Sequence, residues 1–293
     1  MNSNSQDKVM ACVDQSHFSE HVADYAAWVA RRLAAPLEFL HVIDHHPEIG
    51  SGDDHSGAIG VDAQEKLLSR LSSEDELRTK AAREQGRIFL DRLRQRAIAA
   101  GSLSVDVRQR HGELAETLAE QEAGVCLVIL GRRGEAAAHG QRDSGRTIGR
   151  NVEHVVRALH KPILTVTADF KQPQRVMIAF DGGIVTRRGV EMIAASPLFR
   201  GLPVHLLMSG KESQEACRQL EWATTTLAAA GFVAPASLIP GDAESVIART
   251  VREQSIDLLI MGAYSHSPLR SLFFGSKTSD LLRSATIPTL LLR

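Results

Sequence analysis

At 293 residues the chain has room for two domains of ordinary size, and its 43% hydrophobic and 24% charged residues are those of a globular protein that buries a core. A net charge of −1 gives no global attraction for nucleic acid or an anionic membrane, so any anion site must be built locally. Three isolated cysteines (Cys12, Cys126, Cys217), no apolar stretch near the roughly 20 residues of a membrane span, and no signal-peptide core in MNSNSQDK argue against a disulfide framework, a spanning helix and a secreted protein, which predicts a cytoplasmic one.

The first apolar run, VMACV (9–13), is continuous rather than alternating, which suits a parallel strand buried on both faces. It runs out at Asp14. SEHVADYAAWVARRLA follows, a helix with Ser19 as its N-cap and Val22, Ala26 and Val29 on one face. LEFLHV (37–42) is a second strand ending at Val42. An insertion over 44–72 then holds a loop rich in Gly, Asp and His, with a short helix over DAQEKLLSRLSS. Its His45, His46, Asp53, Asp54 and His55 show no metal-ligand spacing and read as solvated polarity. Ser73 and Glu76 have capping-box spacing, so a further helix should begin there and stop at Gly101. HGELAETLAE (111–120) reads as a strand-to-helix turn with acidic residues suited to the helix dipole. VCLVIL, ending at Gly131, and ILTV (163–166) complete the first half.

Past the polar stretch ADFKQPQR (168–175), the pattern starts again. KVMACVD is answered by RVMIAFD, VCLVILGRRG by IDLLIMGAYS, and HKPILTV by TIPTLLL. The offset shrinks in order from 167 to 131 to 126 residues, the signature of a duplication whose length differences lie in loops. The second half supplies the strands VMIAF, VHLLM, LLIM and TLLL, ending or followed at Asp181, Ser209 and Gly262, with helical CRQLEWATTTLAAAG and PGDAESVIART between them. Domains of 1–168 and 174–293 follow. Each reads as β-α-β-α-β-α-β-α-β, hence a doubly wound, parallel, five-stranded sheet, the two sheets in tandem and related by a pseudo-two-fold. Ligands of such sheets bind beyond the carboxyl ends of the strands where strand order reverses, which singles out Asp14, Val42 and Gly131, and Asp181, Ser209 and Gly262. The strands ILTV and TLLL offer edges through which the two halves could pair, as an intramolecular pseudo-dimer, or two copies could form a homodimer.

The stretch MGAYSHSPLRSLFFGSKTSDLLRS (261–284) carries the chemistry. Gly275 and Ser276 stand at the predicted N-terminus of the last helix, where free N–H groups, the dipole, hydroxyls and Lys277 favour an anion such as phosphate. The spacing is not that of a P-loop, because Ser276 separates Gly275 from Lys277. It is Gly262, two residues, Ser265, nine residues, Gly275-Ser276, and this resembles the universal stress protein family, whose nucleotide-binding members carry Gly, two residues, Gly, nine residues, Gly, then Ser or Thr. The resemblance extends over nearly all of both halves. It implies an adenine-nucleotide alpha-hydrolase-like fold, an ATP ligand with or without Mg2+, and site residues Asp181, Ser209, Gly262, Ala263, Ser265, Gly275, Ser276, Lys277 and Thr278. Ser265 stands where the family has glycine. The first half departs further: Asp14, Val42, Gly131 and Gly134 are kept, but fourteen residues rather than nine separate Gly134 from Gly149, which is followed by Arg150. Its loop, with Arg132, Arg133, Arg142, Arg146 and Arg150, reads as a solvated basic surface that could bind an anion through guanidinium groups.

No Ser-His-Asp order, acid–base pair or nucleophile elbow stands out, so no catalytic residue and no metal site is assigned; His41 and His205 read as satisfied histidines of the sheet. The expectation is a cytoplasmic stress-response module that binds ATP in its second domain and acts through protein partners, with hydrolysis at most slow. A ligand-independent scaffold and a slow ATPase or phosphotransferase are the rival readings.

Overall fold

The computed structural model describes residues 7–43, 61–132, 150–167, 169–263 and 287–293. In the first half the elements are β1 (Lys8–Cys12), α1 (Ser19–Leu33), β2 (Leu37–Ile43), α2 (Val61–Ala99), β3 (Val105–His111), α3 (Leu114–Gln121), β4 (Val125–Gly131), α4 (Arg150–Ala158) and β5 (Ile163–Val166). In the second they are β6 (Val176–Ala179), α5 (Ile184–Ala195), β7 (Val204–Ser209), α6 (Gln214–Ala229), β8 (Ala236–Ile239), α7 (Ala243–Glu253), β9 (Leu258–Gly262) and β10 (Thr289–Leu292).

The continuous apolar runs do become buried parallel strands. β1 pairs with β2 and β4, and β6 with β7 and β9, all in parallel. The two expected five-stranded sheets are fused into one sheet of ten, in the order β3-β2-β1-β4-β5-β10-β9-β6-β7-β8. The join is antiparallel: Thr289 faces Thr165, Leu290 faces Leu164 and Leu291 faces Ile163. Each half thus uses its last strand to cover the other's open edge, the intramolecular pairing expected of ILTV and TLLL. Because equivalent strands meet antiparallel, the strands of one half run opposite to those of the other. The carboxyl ends of β1, β2 and β4 therefore lie on one margin of the sheet, and those of β6, β7 and β9 on the opposite margin.

Side chains alternate across the sheet and build an apolar layer on each face. One layer joins Val9, Ala11, Leu164, Ile178, Leu206, Ile260 and Leu290 to α1, α2, α5 and α6. The other joins Met10, Ile163, Met177, Leu207, Leu259 and Leu291 to α3, α4 and α7. Both layers cross the seam.

Three details differ from the sequence reading. Ser19 is not an N-cap: Phe18 precedes the helix in helical backbone geometry, and the Ser19 hydroxyl is engaged with Asp14 instead. The helix expected to begin at Ser73 is part of a continuous 39-residue α2 that also absorbs the expected short helix. The Ala, Leu, Glu, Lys, Gln and Arg around Ser72 and Ser73 are strong helix formers, and two serines cost too little to interrupt them. Arg132 is not a solvated loop cation. It is buried, and its Nη2 donates across the seam to the Ile287 carbonyl at 2.8 Å.

The linker is held by both halves. Phe170 N–H reaches His21 and Lys171 N–H reaches the Tyr25 hydroxyl, each at 3.3 Å, while the Phe170 ring packs edge-on against Tyr25. On the other side Asp257 accepts from Lys171 Nζ at 2.6 Å and from the N–H groups of Gln174 and Arg175 at 3.1 Å.

Candidate functional site

β6 lies at the switch point of the second half: the chain leaves it outward through β7 and β8, then crosses back to β9 and β10 on its other side. Pairing with β7 continues one residue past β6 through Phe180 N–H to Leu207 O at 2.8 Å, which delivers Asp181 at the sheet margin. The turn behind it is Asp181-Gly182-Gly183. Gly182 has φ +73°, a left-handed geometry that glycine adopts without penalty, and a Cβ there would fall 1.9 Å from Gln219 Oε1 of α6.

This turn fixes one carboxylate oxygen of Asp181. Oδ1 accepts from Gly183 N–H at 2.8 Å and from the Thr186 hydroxyl at 2.6 Å. No described residue donates to Oδ2, and Asp181 is half-buried. Arg187 braces the turn: its Nε donates to Gly182 O at 3.0 Å, and its guanidinium lies 5.1 Å from the Trp222 ring centroid. Trp222 in turn stacks on Phe180.

Two further expected residues flank Asp181. Ser209 closes β7, half-buried, and Gly262 closes β9. Ala263 is in the core and gives its N–H to Leu292 O at 2.7 Å, so that donor is committed to the sheet. Asp181, Ser209 and Gly262 thus stand on three adjacent strand ends. Ser265, Gly275, Ser276, Lys277 and Thr278 lie outside the described residues.

The first half repeats the arrangement with different chemistry. Val42 and Gly131 lie at the ends of β2 and β4, flanking Asp14. Asp14 Oδ1 accepts from Ser16 N–H at 3.1 Å and from the Ser16 hydroxyl, and Ser19 Oγ lies 3.1 Å from it. Where the second half has glycine after the aspartate turn, the first has a buried serine that turns back onto the carboxylate. Gly134 and Gly149 lie outside the described residues, and Arg150 opens α4.

Sequence reasoning missed the hydroxyl five residues after each aspartate, Ser19 and Thr186. The signal was present: both pairs fall on the repeat's own offset of 167. Of the two sheet histidines, His41 is satisfied, its Nδ1 lying 3.0 Å from Val13 O. His205 is not: its Nε2 is buried without a partner, and burial pushes the imidazole pKa down. Cys12, two residues before Asp14, is a buried thiol pushed up to about 12, which makes it inert as a nucleophile near neutral pH. Among the described residues no cluster of three or more His, Cys, Asp or Glu could hold a metal, and no helix is long and apolar enough to cross a membrane.

Two doubly wound halves fused through their last strands, each with an aspartate turn at its switch point, define a tandem α/β protein with candidate ligand clefts on opposite margins of one sheet. The model of the universal stress protein family matches residues 6–167 and 204–293, and the chain belongs to that family. The universal stress protein Slr1230 of Synechocystis sp. (strain ATCC 27184 / PCC 6803 / Kazusa) is 32% identical over 288 residues, spanning 97% of this chain and 99% of its own. Among solved structures, a universal stress protein from Archaeoglobus fulgidus DSM 4304 matches with a TM-score of 0.68 at 16% identity, covering 99% of this chain and 97% of that one. A functionally unknown protein from Pseudomonas aeruginosa PAO1 matches at 0.62 and 17% identity, over 99% and 94%. The stretch between the two matched regions contains Asp181 and Thr186, so the reading of that turn rests on the internal repeat and the geometry above.

Proposed function

We propose that the second domain, 174–293, binds an adenine nucleotide, ATP foremost, at the ends of β6, β7 and β9, and that the first domain, 1–168, is its pseudo-symmetric partner. The observation that carries this reading is the half-held carboxylate of Asp181. One oxygen is locked by Gly183 and Thr186, and the other is left to accept from a ligand hydroxyl at the switch point. Such an acceptor fits a nucleoside sugar, with Ser209 and Gly262 on either side. The residues that the family motif assigns to the phosphates, Ser265, Gly275, Ser276, Lys277 and Thr278, complete the site, and Mg2+ would arrive on the phosphates themselves. On this reading the protein acts in the cytoplasm as a nucleotide-dependent regulatory module whose partner preference shifts with occupancy.

Calorimetric titration of the purified full-length chain with ATP tests this. Saturable binding of one nucleotide per chain is expected. Asp181→Ala should weaken it about tenfold, the loss of one hydrogen bond to a charged acceptor, and Gly275→Val should abolish it. An absence of binding in the unaltered protein would establish the ligand-independent scaffold instead. Phosphate release faster than the uncatalysed rate and abolished in Asp181→Ala would make the protein an enzyme.

A further inference from the structure

The glycine that ends β9 has two competing explanations. It could leave room for a ligand, or it could leave room for a neighbouring side chain of the protein. Its backbone does not demand glycine, since its φ is not in the left-handed region. A Cβ built on Gly262 would lie 3.3 Å from Thr186 Cγ2, tighter than such atoms usually pack, and 3.4 Å from Val185 Cγ1, at the edge of ordinary contact. Thr186 is 3% exposed, and a close-packed interior resists its displacement. Its hydroxyl is also the group that holds Asp181 Oδ1 at 2.6 Å.

We propose that Thr186 is the positioning residue of the second-domain site, and that Gly262 is required because it seats Thr186 against Asp181. This rests on the reading of Asp181 as a ligand acceptor. Pressure on Cγ2 from a new methyl group would turn or displace the threonine, break its hydrogen bond to Oδ1, and release the carboxylate to rotate. Oδ2 would then no longer be presented toward the ligand. The first half repeats the hydroxyl contact: Ser19, on the equivalent column, also holds its aspartate, at 3.1 Å.

The γ-methyl group gives a test that separates the two explanations. ATP affinity is measured by calorimetry for the full-length chain and for Thr186→Val, Thr186→Ser, Gly262→Ala and the Thr186→Ser/Gly262→Ala double variant. Thr186→Val keeps the shape and loses the hydroxyl, and should raise Kd about tenfold. Thr186→Ser keeps the hydroxyl and should stay within about twofold. Gly262→Ala should raise Kd several-fold, and the double variant should recover most of that loss, because serine lacks the atom that the new methyl group strikes. If Gly262→Ala binds ATP as well as the unaltered chain does, or if serine at 186 brings no recovery, the positioning role is wrong; in the second case the glycine faces the ligand. If Thr186→Val binds normally, it is wrong whatever the glycine does. If the unaltered chain binds no ATP, both this proposal and the nucleotide reading fall. Circular dichroism on each variant confirms that it is folded, and Thr186→Val, the smallest change, decides the matter should Gly262→Ala not fold.

Discussion

Asp257 shows how one side chain can hold a connection between domains. It is buried at the start of β9, where burial opposes its ionisation. The Lys171 ammonium and the N–H groups of Gln174 and Arg175 outweigh that opposition and keep the carboxyl below its ordinary value of 3.8. A group whose native pKa is depressed stabilises the fold fully above its unfolded value and loses that contribution as pH falls through its native one. Acid unfolding should therefore steepen below about pH 4, where the carboxyl takes up a proton in the unfolded chain while the native one still holds its charge. Asp257→Asn keeps the shape but removes the charge and one acceptor from the linker. It should cost about 1–3 kcal/mol at pH 7, the range for a charged hydrogen-bonded group, and less at pH 3. Urea titrations of both proteins at the two pH values check this; an equal cost at both would show that the charge is immaterial. None of this was legible in the sequence, where Asp257 reads as a polar residue at a strand start. Its partners are 82 to 86 residues away.

Among the elements, the strands were legible, whereas the start of α2 and the role of the serine that opens α1 were not. Continuous apolar runs such as VMACV and LLIM specify burial on both faces, and burial on both faces leaves little choice but an interior parallel strand. The repeat then matched the strands of the two halves and singled out Asp181 and the two strand ends that flank it, Ser209 and Gly262. Helix starts depend on which partner a hydroxyl chooses, and Ser19 chose the strand-end aspartate over its own helix. Arg132 was misread for a related reason, since a cation after a glycine looks solvated until its acceptor, Ile287 O, is known. The seam between β5 and β10 is an element-scale claim of the same kind, and it makes a measurable prediction. Leu164 and Leu290 face each other there, each 1% exposed. Either one changed to Ala should cost about 2–5 kcal/mol. Because the two side chains share one contact, the double variant should cost less than the sum by at least about 0.5 kcal/mol. Simple additivity in urea unfolding would mean that the two strands do not pack against each other in solution.

For the whole molecule, the question is whether two domains joined by a short linker behave as two bodies. Chains of this size commonly unfold domain by domain, and independence is the default where the interface is small and polar. Here the interface is a strand pair inside a continuous sheet, with an apolar layer crossing it on each face. The linker is fixed at Tyr25 on one side and Asp257 on the other, and Arg32 of α1 donates to Leu198 O at 3.0 Å in the second half. Exposing either half alone would uncover β5 or β10 as an open edge together with part of both layers. The chain should therefore unfold in one cooperative transition. It carries its own probes, since its two tryptophans are divided between the halves: Trp28 is buried in α1, and Trp222 in α6 stacks on Phe180. In Trp222→Phe the remaining fluorescence reports the first half, and in Trp28→Phe it reports the second. In each variant the fluorescence midpoint in urea should coincide with the midpoint from far-ultraviolet circular dichroism, which averages over both halves. Splitting of the two signals in either variant would show that the seam is too weak to unite them, and the two candidate clefts would then belong to separately folding bodies.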